Sequence, residues 1–397
     1  MSSDFPPPPA RPTADLSNWR TPPFNRWAFQ HVREFLSTAD IANAPGNAWE
    51  LPSDRRSLDA FRVAAQDGSI LDLGQFLRRT QTDGLVVLLD GRIAYDYYAH
   101  GMMARTPHIL MSASKSIVGL LAGILSARGD LDVAAPVSKY VPEVRNTAYG
   151  DATIRHLLDM RTGVDFDERN TLSYLAATGW EPVPASLAGH GLHSFFAGMT
   201  ASSQPHGGPF RYVSANTDLL AWAIERAAGH PFVELMSELL WKPLGAQDAA
   251  YVTVDRNGAP RGTGGIGATI LDFARLGQLL VQGGQRDLLR IIPEAWIDDI
   301  STGGDRDAWT AGDFGNGFAG LTMRYRNNWY VVDTDPKTIF AMGIHGQHLF
   351  VDRTQRLVVA KLSSQESPID LTAIALTIAA VAEIGRCLGS RTCPTFV

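Results

Sequence analysis

The sequence predicts an α+β fold: an antiparallel sheet flanked by helices, interrupted by an all-helical segment. Three observations predict it. A β-hairpin pattern surrounds residue 90, mostly helical patterns fill residues 150 to 250, and strand patterns crowd together after residue 320. Strands on both sides of a helical stretch imply a sheet built from two separated parts of the chain.

Each element has its own warrant. Leu85 to Leu89 and Arg92 to Tyr98 are apolar runs around Asp90-Gly91, a dipeptide that tolerates the positive φ of a tight hairpin turn. Met111 to Ala127 reads as a helix ending near Gly129, with Ile117, Leu120, Leu121, Ile124 and Leu125 on one stripe. Thr153 to Met160 and Leu219 to Ala228 are helical, separated by a Gly/Pro-rich stretch from Trp180 to Pro209. Leu271 to Leu280 is a further helix, closed by Gly283-Gly284. Strand-like segments follow at Gly320 to Tyr325, Trp329 to Val332, Ile339 to Ile344, His348 to Val351 and Leu357 to Leu362. The short gaps between the last three favour antiparallel pairing. The Ala-rich stretch Leu371 to Leu388 reads as a helix covering one sheet face. The expected organisation is a loose arm over residues 1–24, a sheet domain from 25–107 and 259–397, and a helical domain over 108–258. The active site is expected where the two domains meet.

Composition narrows the function. The chain has 397 residues, 45% hydrophobic and 19% charged, which is the profile of a soluble globular protein with a deep core. A net charge of −6 supplies no electrostatic attraction for nucleic acid or an anionic membrane. No run of about 18 apolar residues is evident, so no membrane span is expected. Met1 to Pro23 is Pro-rich and polar, without the pattern of a secretion signal, and a cytoplasmic protein is expected. Cys387 and Cys393 are then expected as reduced thiols. No Gly-x-x-x-x-Gly-Lys-Ser/Thr phosphate loop occurs, and a dinucleotide enzyme is disfavoured. His190, His193 and His206 are irregularly spaced and read as solvent-facing, so neither a metal nor another cofactor is expected.

Ser112-Ala113-Ser114-Lys115 is the sole Ser-x-x-Lys in the chain. Residues i and i+3 share a helix face, so hydroxyl and amine come within hydrogen-bond reach. A serine in the first helical turn also has its N–H in the positive field of the helix start, facing a developing oxyanion. With 24 serines and 5 lysines, chance alone yields roughly 0.3 such pairs, so the motif needs support. It has two kinds. The lysine stands in an otherwise apolar helix, and the chain as a whole prefers arginine, 30 to 5. Arginine holds its proton near neutral pH, whereas a desolvated lysine can act as a base.

A second proton carrier is required, because one amine must accept from Ser112 and later supply the leaving group. The polar segment Phe210 to Asp218 holds Tyr212, whose phenol near cationic groups can serve as general acid or base. Gly343-Ile344-His345-Gly346-Gln347 ends a predicted strand. Glycine there permits close backbone approach, making the Ile344 N–H a second oxyanion donor beside that of Ser112. His345 is an alternative base, a substrate contact or a structural hydrogen bonder. A Ser-His-Asp triad is disfavoured by the absence of a Gly-x-Ser-x-Gly elbow.

Ser-x-x-Lys, a downstream tyrosine loop and a Gly-containing strand motif, in this order, resemble the penicillin-recognising serine hydrolases: class C β-lactamases, D,D-peptidases and family VIII carboxylesterases. Supporting segments are Leu131 to Val144, Thr153 to Gly163 and Gly264 to Gly284. Within that superfamily the resemblance is strongest to the 6-aminohexanoate-dimer hydrolase branch. Asn25 to Phe29, Asn43 to Gly46, Met111 to Ser116, Tyr212 to Trp222, Gly343 to Gln347 and Lys361 to Ser364 carry it.

The resemblance implies a β-lactamase/D,D-peptidase-like fold and an acyl-enzyme route. In it Ser112 attacks, Lys115 and Tyr212 shuttle protons, and the Ser112 and Ile344 amides hold the oxyanion. It also implies substrate contacts from Ser214, Asn170, Trp180 and His345. Ser214 falls where relatives often carry asparagine, and Asn170 where the branch has a tyrosine. The Lys-Thr-Gly that recognises a β-lactam carboxylate aligns with Ala341-Met342-Gly343, which lacks the cation. The expected activity is therefore hydrolysis of carboxylic esters or small linear amides by a monomer or homodimer. A β-lactamase or D,D-peptidase, and a catalytically silent binding protein on the same fold, are the alternatives.

Overall fold

Asp90 and Gly91 both take positive φ, 51° and 75°, which a two-residue turn between right-twisted strands demands. The hairpin they close, Thr82–Leu89 with Arg92–Tyr98, is one edge of a seven-stranded sheet. In this computed structural model, residues 13–167, 171–187, 189–200, 203–315, 317–318, 321–333 and 338–389 are described. From the far edge the strands are Met323–Arg326, Trp329–Val332, Thr338–Gly343, Gln347–Asp352 and Leu357–Ser363, then the hairpin. All neighbours pair antiparallel, so the sheet joins a hairpin from early in the chain to a meander from late in it.

The two faces follow from period-two alternation. Val86, Leu88, Val358 and Ala360 point to one core with the helix Ile270–Val281. Leu85, Val87, Leu357 and Val359 point to the other, where Ala380, Ile384 and Leu388 of the helix Leu371–Gly389 are buried. That last helix corrects one expectation. It is long and apolar enough, by length and composition, to cross a membrane, and it packs on the sheet instead.

Between the two parts of the sheet, the helices Ala113–Arg128 and Ala215–Ala228 pack together, apolar along most of their inner sides but with buried polar residues in the first turn of each. A second sheet borders them, ordered Thr38–Ile41, Ala250–Thr253, Ile266–Thr269 and Pro107–Ile109. Its strands at 107–109 and 250–253 lie at the two ends of the segment read as helical, so short strands close that segment off. Its strands are three or four residues long, too short to register in the alternation.

Residues 13–24 are not a loose arm. Trp19 is 1% exposed among Phe29, Met111, Trp180 and Tyr251, and its indole N–H donates to the Trp180 carbonyl at 3.1 Å. One large aromatic side chain ties the segment down, although its flanking prolines and polar residues read as loose.

Candidate active site

Met111 has φ of 48°, a left-handed conformation that turns the chain from the strand Pro107–Ile109 into the helix Ala113–Arg128. Ser112 is left at the helix N-cap, partly exposed. One turn on, Lys115 is 1% exposed. Its Nζ donates to Ser112 Oγ at 2.9 Å, to the Thr263 carbonyl at 3.0 Å and to Ser214 Oγ at 3.4 Å. A buried amine is tolerable here because three oxygens surround it.

The Thr263 carbonyl is itself held. Its residue's N–H donates to Asp218 Oδ1 at 3.0 Å. Asp218 is ion-paired with Arg261 and accepts from the Tyr174 hydroxyl at 2.9 Å, while Arg261 Nη1 donates to that hydroxyl at 2.7 Å. Burial pushes the Asp218 carboxyl up, against the pull of the Arg261 guanidinium. This network fixes the oxygen that aims Lys115, and the sequence reading does not single it out: Asp218 reads only as the end of the polar segment ahead of the helix Leu219 to Ala228.

Tyr212 and Ser214 enter together, two residues apart, ahead of the helix Ala215–Ala228. The Tyr212 N–H donates to Asp313 Oδ2 at 2.8 Å, its ring lies 5.4 Å from that of Phe314, and Lys115 Nζ stands 4.8 Å from its ring centroid. Thus Ser112, Lys115, Tyr212 and Ser214 meet at one place.

The strand Thr338–Gly343 ends against the same helix start. A Cβ on Gly343 would lie 2.4 Å from the Leu110 carbonyl oxygen and 3.1 Å from the Ala113 nitrogen, so only glycine lets the strand come this close. Ile344, the next residue, lines the cleft that Ser112 and Tyr212 also line.

Two of the expected substrate contacts lie elsewhere. His345, at φ 61°, is 1% exposed; its Nδ1 is 2.7 Å from the Gln365 carbonyl and its N–H donates to the Pro368 carbonyl at 2.9 Å. Burial pushes its pKa down to about 4, so it is a neutral brace for the loop after Ser364. Trp180 is 6% exposed, and its indole N–H donates to Thr253 Oγ1 at 3.0 Å beside Trp19, outside the residues that line the cleft. The family resemblance implies both as substrate contacts, and in this chain packing holds each of them. Asn170 and Cys393 lie outside the described residues.

Beneath the loop, Asp83 accepts from Ser364 Oγ at 3.1 Å, with His100 Nδ1 at 2.7 Å and His108 Nε2 at 3.6 Å. Lys361 Nζ donates to Ser363 Oγ at 2.5 Å. Burial brings Lys361 down to about 7, against the attraction of Asp83. Burial, with Lys361 beside it, brings His348 down to about 3. Among the described residues no group of three or more His, Cys, Asp or Glu is arranged to hold a metal ion.

Comparison with known proteins identifies the family. The β-lactamase family model matches residues 73–383. The 6-aminohexanoate-dimer hydrolase of Paenarthrobacter ureafaciens is 32% identical over 89% of this chain and 88% of its own. Esterase EstB of Burkholderia gladioli is 32% identical over 50% of this chain and 54% of its own. A Bacillus anthracis structure described as a candidate 6-aminohexanoate-dimer hydrolase superposes with a TM-score of 0.87, at 26% identity, over 96% of this chain and 99% of that one. The fold is β-lactamase-like and the protein is a hydrolase: the chain belongs to the β-lactamase family of serine hydrolases.

Proposed function

We propose that the protein cleaves carboxylic esters and small linear amides through an acyl-enzyme on Ser112. The observation that carries this reading is the 2.9 Å contact between Lys115 Nζ and Ser112 Oγ, made by a buried amine at the mouth of a cleft. Lys115, as the base, takes the Ser112 proton as Oγ bonds to the substrate carbonyl carbon. The carbonyl oxygen becomes an oxyanion held by the Ser112 and Ile344 N–H groups. Tyr212 passes the proton to the departing alkoxide or amine as the bond to it breaks, leaving the acyl group on Ser112. A water molecule then attacks the ester, its proton returning through the same pair, and the acid is released.

The relatives named as an esterase and as a 6-aminohexanoate-dimer hydrolase support this reaction class. A β-lactam target is disfavoured. Its carboxylate needs a cation, and the position that would supply it is Ala341, which is fully buried, while the neighbouring cleft wall is the apolar Met342. The test is a panel of p-nitrophenyl butyrate, a linear amide and a β-lactam. Turnover of the first two is expected to vanish in Ser112→Ala and to fall by about 10²-fold or more in Lys115→Ala. Undiminished turnover by Ser112→Ala would overturn the proposal.

A further inference from the structure

Resting on that reading of Ser112, we infer that the cleft selects substrates with one neutral, apolar, unbranched arm beside the scissile carbonyl, and rejects arms ending in a carboxylate. Away from Ser112 the cleft is walled by Phe314, Phe318, Met342, Ile369, Leu371 and Ile374. Two of these are large apolar side chains left open to solvent, Ile369 at 52% and Leu371 at 41% exposed. Apolar surface held in water beside a nucleophile gains free energy when an apolar chain covers it.

The shape argues for a slender chain. The segment around Phe314 and Phe318 meets the start of the helix Leu371–Gly389, where a Cβ on Gly317 would lie only 3.3 Å from Leu371 Cδ1. Phe314, Phe318, Met342 and Leu371 line one tight stretch of the cleft, a slot in which methylenes would fit and a branched carbon would meet side chains.

Charge argues for the neutral end. Among the described residues lining the cleft there is no lysine or arginine, and the charged one is Asp370 at the rim. Its carboxylate accepts from the Ala373 N–H at 3.0 Å, which keeps it at the mouth of the slot. A substrate carboxylate there would lose water without gaining a partner and would face Asp370.

The experiment uses two ester series. The acyl arm runs from p-nitrophenyl acetate to octanoate, and the alcohol arm from methyl to hexyl butyrate. In one series kcat/KM is expected to rise about fourfold for each of the first methylenes that enter the slot (~0.8 kcal/mol each), the other remaining flat. Met342→Ala shifts the optimum to a longer chain, and Ile374→Trp lowers the longest ester at least tenfold more than the shortest. The p-nitrophenyl monoester of adipic acid falls at least tenfold below the hexanoate, and Asp370→Asn narrows that gap at least threefold. Flat profiles in both series, or preference for the carboxylate-ended ester, would overturn the inference. Such results in an enzyme whose turnover still depends on Ser112 leave the proposed reaction standing, so the two failures are distinguishable.

Discussion

Replacing Gly343 with alanine places one methyl group where the account has no room for it. The new Cβ would sit 2.4 Å from the Leu110 carbonyl oxygen, 3.0 Å from Met111 Cβ and 3.1 Å from the Ala113 nitrogen. The nearest of these is backbone, so no side chain can swing aside. Bringing that contact to 3.0 Å requires the strand end and the helix start to part by at least about 0.6 Å. The parting acts directly between Ile344 and Ser112, the two residues whose N–H groups are proposed to share the oxyanion. A misplacement of about 1 Å costs on the order of 10²-fold in rate, and loss of one oxyanion donor about 10²–10³-fold. Gly343→Ala should therefore lower kcat on p-nitrophenyl butyrate by about 10²-fold with KM within about threefold, because the lost interaction belongs to the transition state. Overpacking should also cost about 1–3 kcal/mol of stability, read as a lower urea midpoint. A folded Gly343→Ala enzyme with kcat within threefold of wild type would refute the placement of the oxyanion site.

Two further perturbations probe buried groups to which the sequence reading gives no individual role. Lys361 titrates near 7 in the folded chain against about 10.4 when unfolded, so between these values the unfolded state binds more protons and stability rises with pH. From pH 6.5 to 9.5 Lys361 should contribute a rise of roughly 3 kcal/mol, with His348 neutral throughout. Lys361→Met should remove that rise in urea unfolding, and parallel pH slopes for the two proteins would contradict it. Asp218→Asn should loosen the Thr263 carbonyl that aims Lys115, lowering kcat about tenfold or more and moving the acid limb of the kcat/KM profile, with KM little changed. An unmoved pH profile in a merely less stable protein would assign Asp218 to the fold alone.

The legible parts of the molecule are those whose causes are local. Asp90-Gly91 announces a turn because positive φ is a property of those residues, and the hairpin follows. The strands after residue 329 match their readings to within a residue or two, since each alternates between two apolar cores. Ser112 and Lys115 were legible because one helical turn fixes their separation. The helix itself begins at Ala113, two residues later than read, because Met111 adopts a left-handed conformation that periodicity does not record.

What escaped depends on distant partners. Lys361 and Asp83 are buried on neighbouring strands paired across more than 270 positions of sequence, and Asp218 gains its meaning from Arg261 and Thr263 on another loop. His345 and Trp180 carry the residue types of a binding site, yet packing claims both. The far wall of the cleft brings Phe314 and Phe318 together with residues 368–371, a juxtaposition no local pattern encodes.

The central claim is a covalent bond to Ser112, and intact-protein mass spectrometry tests it most directly. Acid quenching during turnover of p-nitrophenyl butyrate, followed by peptide mapping, should locate a butyryl adduct on the peptide containing Ser112. Lys115→Ala should form it slowly and Ser112→Ala not at all. An adduct on another residue, or full turnover by Ser112→Ala, would contradict the account.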